Sequence, residues 1–261
     1  MDDVPETQNQ DIIKYSVIAG LLIIIAIAFF TFSGVDFLGS EPTKMLVIGS
    51  TTQETIQILN ENRNTIDYTS KTANSLEANS EEQLKDYKII MLDQSEEATK
   101  EISKELGDAL QNFVKKGGNL IVIKDSGIKR PDTQDVIGWE PTFLDLIPVK
   151  CNRIEDNELT CANRTLVNGK LIRATEHPIM QGIDQFPAGE TLNATFETFE
   201  VDNLGTEIAY IQSSASDKKS FIGISEKKTM LGKTIYFNYN VGKTRGIFEA
   251  TLEYLRWIFW D

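Results

Sequence analysis

Lys44-Met-Leu-Val-Ile-Gly-Ser-Thr-Thr-Gln-Glu-Thr-Ile-Gln-Ile-Leu59 decides the fold. Met45 to Ile48 is a short apolar run that ends in the small pair Gly49-Ser50, and Thr51 to Leu59 then reads as a capped helix. Strand followed by helix is the opening unit of an α/β domain. The pattern recurs downstream. Tyr87 to Asp93 is a second strand, and Glu96 to Lys116 sets Ile102, Leu106, Leu110, Phe113 and Val114 on one helical stripe before Gly117-Gly118. Asn119 to Ile123 supplies a third strand. This order predicts a mostly parallel sheet flanked by helices, with Ser50, Asp93 and Asp125 near the carboxyl ends of strands.

Upstream, Tyr15 to Phe32 holds eighteen residues without a charge, and Leu21 to Phe30 is apolar on every face. The charge-free interval 15–35 reaches about 30 Å as a helix, the hydrocarbon thickness of a bilayer, and predicts a transmembrane anchor. A cleaved leader fits less well, because Asp2, Asp3, Glu6 and Asp11 stand against Lys14 alone and the apolar run is long. The expected organisation is a short inner tail (1–14), the anchor (15–35), a linker (36–43) and one domain (44–261) on the outer side.

Within that domain, residues 126–170 lose their periodicity and read as an insertion around Trp139, Phe143, Leu144, Leu146 and Ile147. Leu171 to Arg173, Thr191 to Phe196, Ile208 to Ile211, Phe221 to Ile224 and Thr234 to Phe237 can supply later strands. A turn over Gly242 to Gly246 leads into a last helix, Ile247 to Trp260. Cys151 and Cys161, the two cysteines of the chain, bracket a polar segment at a spacing suited to a disulfide in an oxidising compartment. Two unrelated thiols are the alternative. Asn163-Arg-Thr165 and Asn193-Ala-Thr195 are glycosylation sequons. Together these signals favour an amino terminus inside and a carboxyl-terminal domain outside.

Twenty-six basic against 39 acidic residues give a formal charge of -13, and residues 1–14 contribute only -3 of it. An acidic domain argues against a nucleic-acid backbone as partner, since that binding needs basic side chains on phosphates.

The segments Met45 to Ser50, the Asp93 strand end, Phe113 to Ile123, Glu176-His-Pro-Ile-Met-Gln-Gly182 and Gly232 to Asn238 resemble the class I glutamine-amidotransferase-like superfamily. The likeness is to its non-amidotransferase branches, the trehalose-utilisation-like and membrane-associated flavodoxin-like domains. It covers roughly residues 44–261 and implies a flavodoxin-like sheet. Amidotransferases carry a nucleophilic Cys after the central strand. Here that strand runs into Lys124-Asp-Ser-Gly127, so the thiolate route is absent at that place. Ser126 lacks a Gly-x-Ser-x-Gly elbow.

Asp93 and Asp125 stand where ligands sit in open α/β sheets, although an Asp beyond a strand is also an ordinary turn residue. His177, the one histidine, is placed by the resemblance in a loop at the sheet edge; it also has the chemistry of a proton donor or metal ligand. No metal cluster, dinucleotide turn or phosphate loop is evident, and no cofactor is expected. The leading expectation is a membrane-anchored, non-catalytic binding or assembly subunit of the cell envelope. It would touch the lipid bilayer and an envelope protein, docking through Trp139 to Cys161. The alternative is an extracytoplasmic hydrolase or receptor for a carbohydrate-like small ligand, with Asp93, Asp125 and His177 as provisional contacts.

Overall fold

A computed structural model describes residues 41–128, 138–152, 160–161 and 163–256. Backbone contacts divide the chain into two units, Met1–Glu41 and Pro42–Asp261, and the sheet belongs to the second. Its first half is built from β1 (Thr43–Ile48), α1 (Gln53–Glu61), β2 (Ile66–Lys71), α2 (Ser80–Leu84), β3 (Ile89–Leu92), α3 (Lys104–Lys115) and β4 (Asn119–Ile123). The Ser103 hydroxyl caps α3 by accepting from Leu106 N at 3.2 Å. The strands β1 to β4 pair in parallel, as β2-β1-β3-β4.

The second half departs from the expected parallel sheet. After α4 (Glu140–Phe143) and β5 (Val149–Lys150) come β6 (Arg164–Arg173), β7 (Gln185–Phe186), β8 (Ala194–Phe199), β9 (Asp202–Asn203), β10 (Thr206–Ser213), β11 (Ser220–Thr229) and β12 (Gly232–Phe237). β12 lies parallel to β4, but β11, β10, β6, β7 and β8 all join antiparallel, which makes a mixed ten-stranded sheet. The reason is connection length. β11 and β12 are joined by Met230-Leu231 alone, with Met230 at φ +54°, whereas a parallel pair needs a crossover of about a dozen residues. β5 and β9 form a separate two-stranded ribbon.

Strand alternation sorts the core into two layers. Met45, Val47, Met91, Ile121, Ile123, Ile235 and Phe237 face α1 and the last helix α5 (Arg245–Arg256), meeting Ile58, Leu59, Ile247, Phe248, Leu252 and Leu255. Leu46, Ile48, Ile90, Leu92, Leu120, Val122 and Tyr236 face α3, meeting Leu106, Leu110 and Val114. Burial on both sides is why β1, β3 and β4 read as unbroken apolar runs. Trp139, Phe143, Leu146 and Ile147 belong to the α3 layer, so the described residues 138–149 of the irregular stretch cover the core.

The membrane expectations are corrected here. The helix predicted over 15–35 lies outside the described residues, and among the described residues no helix is long and apolar enough to cross a membrane. The two longest, α3 and α5, have twelve residues each, about 18 Å where about 30 Å is needed, and both carry a polar face. A transmembrane element in the fold, a single-pass topology with the amino terminus inside, a signal-anchor role and the lipid bilayer with its membrane or envelope protein partner are therefore unsupported. Trp257 and Trp260 also lie outside the described residues.

Candidate functional site

At the carboxyl ends of β1, β3 and β4 the backbone crowds. Gly49, at φ +105°, leaves room that a Cβ would deny, since such an atom would sit 2.4 Å from the Asp93 carbonyl oxygen. The close approach lets the Thr51 hydroxyl donate to Asp93 Oδ2 across the strand ends. Asp93 Oδ1 accepts from Ser95 N at 2.9 Å and from Ser95 Oγ at 2.5 Å. Asp93 is fully buried, and that burial pushes its carboxyl above the ordinary range even though the hydroxyls, the amide and Lys100 oppose it. Both oxygens are thus engaged in closing the turn.

Lys100 donates to the carbonyls of Gln94 and Ser95, the latter at 3.2 Å. Burial lowers its ammonium pKa; Asp125 and Asp93 act the other way, and Lys124 adds to the lowering. Asp93 and Asp125 therefore share a neighbourhood through Lys100. Asp125 is buried; burial raises the Tyr236 phenol, and Asp125 adds to that rise.

Lys124 occupies the turn after β4 at φ +53°, and its half-hidden ammonium pairs with Glu197, which Arg164 also reaches at 3.4 Å. Burial raises the Glu197 carboxyl, but Lys124, Arg164 and Lys243 outweigh it and hold it below the ordinary value. Ser126 is buried, its hydroxyl accepting from Gln94 N at 2.8 Å and its carbonyl from Trp139 Nε1 at 3.0 Å. No described histidine stands beside it.

His177 lies elsewhere. Its Nε2 is 3.4 Å from Glu226 Oε2, its ring meets Tyr254 edge to face at 4.9 Å, and Nδ1 accepts from Ile179 N at 3.3 Å. Glu226 pairs across the strands with Ile235, so this cluster belongs to the α5 face. Burial raises the Glu226 carboxyl, while His177, Tyr254 and Lys233 pull it down and prevail. The carboxyl end of α5 docks at the amino ends of the parallel strands, where Lys88 donates to the Arg256 carbonyl at 2.7 Å and Asn119 to that of Leu255 at 3.1 Å. His177 is thus on the α5 face near this end, and Asp93 with Asp125 is at the opposite end of the strands.

Among the described residues, one open space is at the amino ends. A cavity of about 600 Å³ lies between α2, α3 and the β11–β12 hairpin. Leu84, Tyr87, Ala109, Phe113, Met230 and Leu231 give it an apolar wall, and Lys85, Lys88, Lys116, Lys228 and Lys233 share the lining with Glu81. Met230 and Leu231 are 79% and 71% exposed, a bare apolar tip on its rim. Sequence reasoning missed this place, though a signal existed: lysines stand just before or at the start of three parallel strands of an acidic chain.

Cys151 and Cys161 are joined as a disulfide with Cα atoms 5.3 Å apart, and Asn163 and Asn193 are both exposed. Among the described residues no three of His, Cys, Asp and Glu converge as a metal site. Trp139 is fully buried, so the expected docking surface from Trp139 to Cys161 lacks its aromatic anchor.

No protein-family model matches the chain, and no curated protein matches it. Solved structures do. A ThuA-like protein from Bacteroides uniformis superposes with a TM-score of 0.53 at 12% identity, over 84% of this chain and 92% of that one. The β-galactosidase from Bacillus circulans sp. alkalophilus gives 0.52 at 11% identity, over 84% of this chain and 32% of that one. A catalytic mutant of Gan42B, a GH42 β-galactosidase from G. stearothermophilus, gives 0.51 at 11% identity, over 82% and 30%. The chain spans about a third of each galactosidase, and the likeness is one of fold.

Proposed function

For a chain with the fold of the class I glutamine-amidotransferase-like superfamily, we propose a non-catalytic role as a receptor for a small, carbohydrate-like ligand. The observation that carries this reading is the cavity of about 600 Å³ at the amino ends of β3, β4 and β12, within the usual size of small-molecule sites. Its wall combines aromatic and aliphatic surface with convergent polar groups, the composition such sites require.

The geometry gives hydrolysis less support. Proton transfer needs an acid or base within hydrogen-bond reach of the substrate. Asp93 spends both oxygens on Thr51 and Ser95, and His177 turns to Glu226 and Tyr254 on the α5 face. The galactosidase likeness makes galactosides the first sugars to try, both as ligands and as substrates.

The test is calorimetric titration of the domain with a panel of mono- and disaccharides, run beside an assay for released monosaccharide. Saturable binding without turnover is the expected result. Steady turnover of a galactoside would put the hydrolase reading ahead.

A further inference from the structure

We infer that the apolar wall of the amino-end cavity is the docking site of this chain's own segment Trp257-Ile-Phe-Trp260, which covers the opening and has to leave before a ligand enters. The docking is independent of the receptor reading; only the competition with a ligand rests on it. Residues 257–261 lie outside the described residues, but the place from which they depart is set by hydrogen bonds. Lys88 donates to the Arg256 carbonyl at 2.7 Å, Asn119 to that of Leu255 at 3.1 Å and Lys233 to the Tyr254 hydroxyl at 2.6 Å. Lys88, Asn119 and Lys233 all line the cavity, so its own residues hold the last turn of α5 and receive the chain at its edge. Four extended residues span about 14 Å, so Trp257 to Trp260 reach the wall with α5 in place.

The two surfaces match in chemistry. Trp257, Ile258, Phe259 and Trp260 form an unbroken run of large apolar side chains, which water solvates poorly. The cavity offers Leu84, Tyr87, Ala109 and Phe113, with Met230 and Leu231 bare on the rim. Met230 adds a polarizable thioether, a favourable neighbour for an aromatic edge. Continuing α5 would not bury the two tryptophans on the face that α5 packs. Its inward stripe is Ile247, Phe248, Leu252 and Leu255, whereas helical register sets Trp257 and Trp260 in line with exposed Glu253, at i+4 and i+7. They require a surface beyond that face, and the cavity adjoins it. The lining lysines are already engaged, Lys85 with Glu82, Lys116 with Glu81 and Lys233 with Tyr254, which leaves the apolar wall as the feature an occupant reads.

The experiment measures acrylamide quenching of tryptophan fluorescence in the intact protein and in Leu231→Asp. A Trp257→Ala, Trp260→Ala double variant supplies the baseline in which Trp139 emits alone. Leu231 is exposed, so its substitution spares the core. In the native chain Trp257 and Trp260 should quench several-fold less than free tryptophan, and in Leu231→Asp, which puts a charge on the wall, they should approach it. Full accessibility in the native chain would overturn the docking. So would shielding that Leu231→Asp leaves unchanged, since the segment would then pack elsewhere. Shielding lost on dilution, together with a dimer that dissociates in sedimentation, would assign the wall to the segment of a second copy and overturn docking within one chain. Lactose titrated into the native chain and the double variant reads the competition. Tighter binding by the variant is expected, and equal binding would overturn the covering role. Lactose binding to neither protein would count against the receptor reading, while quenching alone still decides the docking.

Discussion

Asn238 and Phe199 bond each other twice: the Asn238 side-chain amide donates to the Phe199 carbonyl at 2.7 Å, and Phe199 N donates back to Asn238 Oδ1 at 3.0 Å. One side chain thereby imitates a strand beside the end of β8, where Phe199 also stands opposite Arg164 of β6. The same amide donates to the Ile222 carbonyl at 2.9 Å, and the Tyr236 hydroxyl donates to Oδ1 at 3.1 Å. Asn238, Tyr236 and Phe199 are buried, and Ile222 is partly so.

Asn238→Ala should therefore cost about 3 kcal/mol or more, because it strands several buried polar groups away from water. For a domain of this size that is a fall of roughly 6–12 °C in melting temperature. Differential scanning calorimetry reads it directly. A loss below about 1 kcal/mol would mean the groups find other partners.

The Cys151–Cys161 disulfide closes a short loop, and Cys161 is buried in the α3-side core. Loop-closure entropy for a span of this length corresponds to roughly 2–3 kcal/mol. Reductant should lower the melting temperature of the native chain and leave that of a Cys151→Ala, Cys161→Ala double variant unmoved. Equal sensitivity in both would place the effect elsewhere.

Lys124 combines a left-handed backbone with an ion pair to Glu197, and two substitutions separate these. Alanine removes the pair and keeps the strain; glycine removes both, and a left-handed residue with a Cβ costs about 1 kcal/mol. Lys124→Gly should be the more stable variant by about that amount in urea denaturation. The pair's share shows in pH. Glu197 has a depressed carboxyl pKa, so its contribution is present above the ordinary glutamate pKa and is lost as pH falls through the depressed value. The difference between native chain and Lys124→Ala should shrink on acidification.

The parallel half of the sheet was legible because burial on both faces writes itself as unbroken apolar runs, Met45 to Ile48, Ile89 to Leu92 and Leu120 to Ile123. β2 was not, since an edge strand buries only Ile66 of its six residues. The length of β6 was hidden by Asn168-Gly169, which reads as a break. Gly169 is there because a Cβ would meet the Gln212 carbonyl at 2.0 Å across the pairing. The mixed character of the sheet rests on the two-residue Met230-Leu231 connection, a signal present but smaller than any apolar run. Asp93 was legible by position, because strand ends can be counted. The lysine-lined cavity was not, since residues near 81–119 and 228–233 meet only after β12 inserts beside β4.

Asp93 gives a prediction of opposite sign to Glu197. Its carboxyl is raised by burial, so between the ordinary aspartate value, about 3.9, and the raised one the folded chain holds more protons than the unfolded chain. Stability from this group therefore falls as pH rises through that window and stays at the lower level above it. Asp93→Asn keeps an acceptor for Ser95 and has no charge to bury. Its melting temperature relative to the native chain should climb as pH goes from 4 to 7. Melting curves of both proteins across that range measure the difference. A difference that is flat or falls with pH would show that Thr51, Ser95 and Lys100 stabilise the carboxylate by more than burial penalises it.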